Sequence, residues 1–357
     1  MEKQKNIGNP YKKIDITEDI DLQNIIKKYK IKPETNSDTS FWHVGHECFK
    51  FKSKIKDLFF LRGNFERSLE NQLFKQASNA GMETIFSTKI KIKNNKILLD
   101  NKKIDSEIII GADGADSIVT KYCFPNEKIK IIEGYGQSYT DLNIPVGETH
   151  VFFEQNIMPG GYVYTGRTQT LGTIVIGGRN RPDIKYFNKI KKSNFKINKF
   201  IGKRRGTEIW GKGIISNIKK RVYGNMILVG DAARVADPLF LYGVRPALIS
   251  GDYAVKTIIE HLENGKNLEQ YDTLLKNKLI QDYYLSKVAR NTLEKTNQKD
   301  IEFIIKNLDY IDKTIGLDGI SEKPKDVIKT IMLLFVKSPY STTKLGYKVI
   351  QSLFEAL

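Results

Sequence analysis

The chain is poor in cysteine. Of its 357 residues only Cys48 and Cys123 carry thiols, which excludes a disulfide framework and suits a reducing, cytoplasmic compartment. No secretory leader opens it, and no apolar run reaches the ~18 residues of a membrane span. Histidine is scarce as well, at four residues. His43, His46 and Cys48 stand close in sequence, but on a strand His43 and His46 face opposite sides and no fourth ligand lies near, so no metal site is expected. There is no internal repeat, no nucleic-acid-binding signature and no GxGxxG turn. What the chain has in excess is positive charge, at a net +17. That charge admits nucleic acid, anionic membrane or anionic small molecules and selects none of them. A hydrophobic content of 40% is ample for one large or two medium domains.

The densest pattern runs from Met226 to Gly251. Four apolar residues, Met226 to Val229, read as one buried strand. Gly230-Asp231 comes next, then a loop with Pro238, then Gly243 and an apolar helix from Val244 to Val255. A carboxylate at a strand end can accept hydrogen bonds from hydroxyls, and the first helical turn offers free N–H groups and the positive end of its dipole. An ordinary turn that closes a strand has the same residues.

GDAARVADPLFLYGVRPALISG resembles the second FAD signature of the glutathione-reductase-type flavoproteins, above all the geranylgeranyl reductase family. The resemblance implies that Asp231 binds the ribityl chain and that Gly243 and Val244 touch the pyrimidine side of the isoalloxazine. Leu241 and Tyr242 replace the small residues usual before that glycine. The opening MEKQKNIGNP is similar to the segment just after the first βαβ unit in that family. On this match Glu2 takes the adenosine-ribose position, the chain begins just after a βαβ unit of about 30 residues, and as given it is expected to bind FAD poorly. Lys13 stands where the family often has a cysteine, so no thiol chemistry is implied there; Lys13 and Ile14 are left to offer backbone contacts to the flavin.

Further along, Asp19 to Lys30 reads as a helix. The spacing predicts a strand over Leu58–Leu61 ended by Arg62, a helix over Phe65–Ala80 with Phe65, Leu69, Leu73 and Ala77 on one face, and a strand over Glu83–Ser87. The resemblance places Arg62 near the ribityl-phosphate region and Thr88 near the adenine. Lys89 to Asp100 reads as a hairpin turning at Asn94-Asn95. Glu107 to Ile110 reads as a strand running into Gly111-Ala112-Asp113-Gly114, similar to the family's Asp-Gly motif, where Asp113 supports the chain near the diphosphate. Short alternating strands from Ile131 to Arg179 fit a separate antiparallel sheet. Within it MPGGYVY resembles the family's PGGYxW segment, which implies Tyr162 and Tyr164 on a substrate-facing wall; ordinary sheet core is the alternative. Alternation puts both tyrosines on one face and Val163 on the other. The last hundred residues are helical in pattern, breaking at Gly316 to Pro324, and Val327 to Leu357 forms a basic amphipathic stretch that suits either an anionic membrane surface or packing on its own domain.

The expected fold is therefore α/β: a Rossmann-like FAD-binding domain in two segments, 1–125 and 216–265, with an inserted antiparallel sheet domain over 126–215 and a helical tail over 266–357. The resemblance implies an FAD-dependent oxidoreductase that reduces isoprenoid carbon–carbon double bonds, such as those of membrane lipids. NADPH or ferredoxin would supply the electrons. No residue stands out as the general acid. An FAD-dependent monooxygenase and a non-catalytic remnant of such a flavoprotein are the alternatives.

Overall fold

A computed structural model describes residues 12–14, 20–100, 102–178, 184–192, 196–216, 218–280, 283–315, 345–349, 351–352 and 355. Glu2, the break at Gly316 to Pro324 and nearly all of the basic C-terminal stretch lie outside these residues. The chain runs β1 (Lys12–Ile14), α1 (Ile20–Lys28), β2 (Thr35–Val44), β3 (Glu47–Phe60) and α2 (Leu69–Asn79). It continues through β4 (Ile90–Lys93), β5 (Lys96–Leu99), β6 (Lys102–Ile104), β7 (Ile109–Gly111) and α3 (Ile118–Cys123). Next come β8 (Ile129–Tyr139), β9 (Glu148–Phe152), β10 (Tyr162–Arg167), β11 (Gly172–Gly178), α4 (Ile184–Lys192) and β12 (Arg205–Ser216). The last elements are β13 (Val222–Tyr223), β14 (Met226–Leu228), α5 (Val244–Asn264), α6 (Gln270–Leu275), α7 (Tyr283–Lys295) and α8 (Gln298–Ile315).

An eight-stranded sheet, ordered β1-β3-β2-β9-β10-β11-β8-β12, dominates the molecule. It draws strands from both sides of residue 126, so the antiparallel wall is built from three separate stretches of chain. Only β2 and β9 pair in parallel within it. A second sheet, β13-β14-β7, holds the parallel pair β7 and β14. The hairpin at Asn94-Asn95 forms as the sequence predicts; both residues are left-handed, with φ of 50° and 56°, as a tight turn between β4 and β5 requires.

Two local expectations are corrected. The second helix starts at Leu69 rather than Phe65, because Ser68 caps it by accepting from Asn71 N and the preceding residues form a loop tied by Arg62 to Glu70. Phe65 is left 39% exposed. No strand forms over Glu83–Ser87. A strand needs a neighbour for its backbone groups, and none lies beside this segment among the described residues, where Ile85 and Phe86 stand 66% and 48% exposed.

Three large cores arise from these layers, beside a small cluster of Phe59, Leu61 and Leu171. One lies around β7, β14, α1, α5 and α6, with Met226, Ile227, Leu228, Ile249 and Tyr271 at its centre. The other two cover opposite faces of the large sheet. Trp42, Val44, Val151, Tyr162 and Tyr164 meet α7 and α8 through Leu293, Ile301 and Ile305. Tyr135, Phe152, Val163 and Ile176 meet Phe187 of α4 and Ile197. The alternation expected of β10 holds: Tyr162 and Tyr164 share one face and Val163 the other. No helix among the described residues is long and apolar enough to cross a membrane.

The second face also buries His43 and His150, with His43 Nε2 3.0 Å from His150 Nδ1. Their rings stack among Phe41, Phe152 and Phe200. No group of three His, Cys, Asp or Glu side chains among the described residues is placed to hold a metal. Burial pushes His43 down to about 3 and His150 to about 4 from an ordinary 6.5. Between pH 6.5 and these values the unfolded chain binds more protons than the native one, so stability is whole above pH 6.5 and falls as the medium is acidified through that window. A His43→Gln, His150→Gln variant is expected to show a flatter dependence of melting temperature on pH between about 6.5 and 4 than the parent. A parallel shift of the whole curve would contradict this.

Candidate functional site

The parallel strands β7 and β14 end together, and the Asp113 and Asp231 motifs meet at that end. After β14 the chain enters a short 3-10 turn, Gly230–Ala233. Gly230 has φ +58°, its N–H donates to Ser250 Oγ at 2.9 Å, and a Cβ there would stand 3.3 Å from Ala247 Cβ. The glycine thus lets the strand end turn left-handed directly against α5. Gly230→Ala is expected to destabilise the fold by about 1–3 kcal/mol, read as a lower urea midpoint at unchanged m-value.

Asp231 comes next, partly exposed at the strand end, and its carboxylate accepts no hydrogen bond among the described residues. Gly243 and Val244 begin α5, with Gly243 at the cap position and no side chain capping the free N–H groups. Between them the chain is held tightly. Asp237 Oδ1 accepts from Leu239 N and Phe240 N at 3.1 and 2.8 Å, while Leu241 N donates to Asp237 O and Asp237 N to Tyr242 O. Leu241 is left-handed, with φ 56°. The bulky pair Leu241-Tyr242 is therefore accommodated by backbone strain that an Asx-type turn holds in place.

Asp113 lies at the end of β7. Its Oδ2 accepts from Ile118 N at 2.7 Å and from Val119 N at 3.4 Å, so it caps α3 together with Ser117, whose Oγ accepts from Thr120 N at 2.8 Å. Thr120 Oγ1 donates to Ala232 O at 2.8 Å and ties α3 to the Asp231 turn. Cys123, buried beneath, has its thiol pushed up to about 11 by desolvation, with Asp113 adding to it, so it is a neutral packing residue.

The join between these two loops was not foreseen. Arg234, left-handed at φ 57°, forms a buried bidentate pair with Glu127, Nε to Oε1 at 2.8 Å and Nη2 to Oε2 at 3.0 Å. Its Nη1 donates to Ala115 O and Asp231 O. An arginine four residues after Gly230 carries no signal of this, because its partner lies more than a hundred residues upstream. Tyr271 and Tyr283 were missed likewise; their hydroxyls donate to Leu228 O and Val235 O, each at 2.7 Å. Burial pushes the Tyr271 phenol upward, which keeps it a donor.

Arg62 leaves β3, engages Glu70 through Nε, and keeps Nη1 buried without a hydrogen-bond partner. β1 pairs with the end of β3, Lys13 opposite Phe59 and Ile14 opposite Leu58, and packs on α5, so their backbone lies beside that helix. Thr88 is used locally, its Oγ1 donating to Phe86 O at 3.1 Å, and no bond joins it to this cluster. Tyr162 Oη donates to Phe240 O at 2.8 Å, and the two rings meet edge to face with centroids 5.3 Å apart. That contact fastens the wall of the large sheet to the loop between Asp231 and Gly243.

An unpartnered carboxylate at a strand end and an uncapped helix start thus flank one tightly turned loop between β14 and α5. Comparison with solved structures gives the class of fold. A geranylgeranyl bacteriochlorophyll reductase-like protein from Thermoplasma acidophilum superposes with a TM-score of 0.68 at 18% identity, covering 96% of this chain and 91% of that one. PqsL of Pseudomonas aeruginosa, a probable FAD-dependent monooxygenase, does so at 0.59 and 12% identity, over 82% and 90%. The chain has the flavoprotein fold of such oxidoreductases.

No family model matches the sequence. Among curated proteins, the digeranylgeranylglycerophospholipid reductase of Methanospirillum hungatei is 29% identical over 254 residues, 64% of this chain and 61% of that protein. The one from Methanosphaerula palustris is 28% identical over 172 residues, 45% and 42% of the two. The chain spans less than two thirds of the length of these relatives. Over that part of their length the chain is similar in sequence to these reductases.

Proposed function

We propose that the protein is a flavin-dependent oxidoreductase that reduces carbon–carbon double bonds of an isoprenoid lipid. The observation that carries this reading is the join at Tyr162. An aromatic and aliphatic sheet face, with Trp42, Val151, Phe153 and Tyr164 beside it, is hydrogen-bonded directly to the loop after Asp231. The margin of this face that α7 and α8 leave beside Trp42 and Phe240, both only partly buried, would suit an elongated apolar chain laid against the flavin edge. The names of the curated relatives support the same substrate class.

FAD is the flavin this reading assigns. Asp231 would bind its ribityl hydroxyls, and the N–H groups of Gly243 and Val244 the pyrimidine edge. Arg62 Nη1 and the backbone of Lys13 and Ile14 would complete the grip, with Glu2, Thr88 and Asp113 serving the adenosine and diphosphate half. Reduced FAD supplies hydride. The residues named here bind and orient it, and the apolar wall excludes water. In this reading residues 1–125 and 216–265 build the cofactor half but lend β1, β2 and β3 to the wall, 126–215 the rest of the wall and 266–357 its helical cover. A donor such as NADPH or ferredoxin supplies the electrons, and the basic C-terminal stretch contacts anionic membrane.

The fold shared with PqsL favours a second reading, a monooxygenase. Product analysis separates them. Under the first reading, flavin-loaded protein with dithionite and an isoprenoid lipid gives saturated product without oxygen. Under the second, product forms only in air and carries an added oxygen atom. Neither product under either condition would overturn both.

A further inference from the structure

The eight-stranded sheet ends on β12, which pairs with β8 on one side and with no strand on the other among the described residues. Edge strands are commonly blunted by shortness, by proline, by a central lysine or by a bulge. The opposite edge, β1, is three residues long. β12 has twelve residues and no proline. Its one bulge lies between Arg205 and Glu208, which leaves Glu208 to Ser216 in regular register with β8. Lys212 is the only lysine in that regular run, and it is drawn to Asp116, Nζ to Oδ1 at 2.6 Å. The edge is thus long and little protected.

Its side chains are held in place. Glu208, Trp210 and Lys212 share one face by the two-residue period of a strand. Trp210 is 41% exposed, and its ring meets that of Tyr135 edge to face with centroids 4.7 Å apart. The Tyr135 hydroxyl donates to Glu208 Oε1 at 3.1 Å. Around Lys212 the charges of its own chain balance: Glu133 stands opposite it on β8, and Asp116 is faced in turn by Lys121 and Arg234. On the other face nothing lies within 4 Å of where a Cβ of Gly211 would be, so the backbone at the centre of the run is open to close approach.

We infer that β12 is a self-association edge, along which two copies of the chain pair antiparallel about a two-fold axis at Trp210 and join their large sheets into one. A two-fold contact brings a residue of one copy against its counterpart's partner and the reverse. With Trp210 on the axis, the two Trp210 rings are neighbours, Glu208 of each copy stands opposite Lys212 of the other, and the like charges are kept apart. Among the registers that keep this face continuous, this is the one that pairs Glu208 with Lys212. Cross-strand pairs of opposite charge and of aromatic rings are the ones that stabilise a ladder. The bulge bends the strand before Glu208 and confines the contact to a short run, so a Kd of about 1–100 μM is expected.

Sedimentation equilibrium of the full chain over about 1–300 μM tests this, at about 0.15 M salt, where the net charge of +17 is screened beyond about 8 Å. A reversible monomer–dimer equilibrium is expected. Glu208→Lys sets lysine against Lys212 twice in each dimer and is expected to raise Kd at least about ten-fold. Adding Lys212→Glu restores both opposite-charge pairs and is expected to recover most of the affinity. Because these reversals also disturb Tyr135 and Asp116 within one copy, a second measurement is independent of them. Cys48 is exposed and Cys123 buried. In a Cys48→Ser background, Trp210→Cys places two thiols across the axis with Cβ atoms about 4.5–5.5 Å apart, and mild oxidation is expected to give a covalent dimer. The same oxidation of the Cys48→Ser parent is expected to give monomer only. A chain that stays monomeric throughout, a dimer that Glu208→Lys leaves unchanged, or a folded Trp210→Cys variant that yields no covalent dimer overturns the inference.

Discussion

Replacing Asp231 with alanine is expected to weaken flavin binding by about 10- to 100-fold. The carboxylate stands at the end of β14 beside the start of α5 and accepts nothing from the rest of the described protein. Its removal therefore leaves no protein donor stranded, and the fold loses nothing it was using. The loss is one or more charge-assisted hydrogen bonds to ligand hydroxyls, about 1.5–3 kcal/mol. Two measurements check this: flavin absorbance retained per protein after purification, and the dissociation constant from fluorescence titration with added FAD. The melting temperature without flavin is expected to match the parent. Equal flavin affinity in mutant and parent would remove Asp231 from the site.

Arg234→Ala is expected to act in the opposite manner, with a large loss of stability from a residue that is not assigned to the ligand. Arg234 and Glu127 have side chains 2% and 6% exposed, joined through both guanidinium edges. Truncating the arginine strands a buried carboxylate and leaves Ala115 O and Asp231 O without this donor. Breaking such a pair from one side costs about 3–5 kcal/mol. In the native protein the arginine holds Glu127 below the usual carboxylate range against the opposing effect of burial, whose single contribution is the largest. A double-mutant cycle with Glu127→Ala separates the terms. The second truncation is expected to add far less than the first, because the stranded charge is gone. Additive losses would mean that the two side chains act independently.

The contrast between these two residues shows what is legible in a sequence. Asp231 is visible because its surroundings are local: an apolar run, a glycine, a carboxylate and a helix start within about twenty residues. The hairpin at Asn94-Asn95 and the shared face of Tyr162 and Tyr164 are legible for the same reason, since turn chemistry and the two-residue period of a strand need no distant partner. Arg234 is invisible, as are Tyr271 and Tyr283. Each takes its meaning from a group brought near by the fold. The errors have the same origin. Glu83–Ser87 has the composition of a strand but no neighbour to pair with among the described residues, and Phe65 has helical spacing but sits before the Ser68 cap.

By itself, then, the sequence determined the class of fold and the order of its motifs, because these rest on short-range patterns of apolar period, glycine and charge. The tertiary structure alone decided that the sheet wall is assembled from three stretches of chain and that Tyr162 fastens it to the Asp231 loop. It also decided that Arg234 is satisfied while Arg62 keeps a buried nitrogen without a partner. The physical reason is that hydrogen bonding and burial are properties of neighbours in space. A side chain's partners, and the cost of lacking them, are set only when segments from about forty to more than a hundred residues apart are packed together.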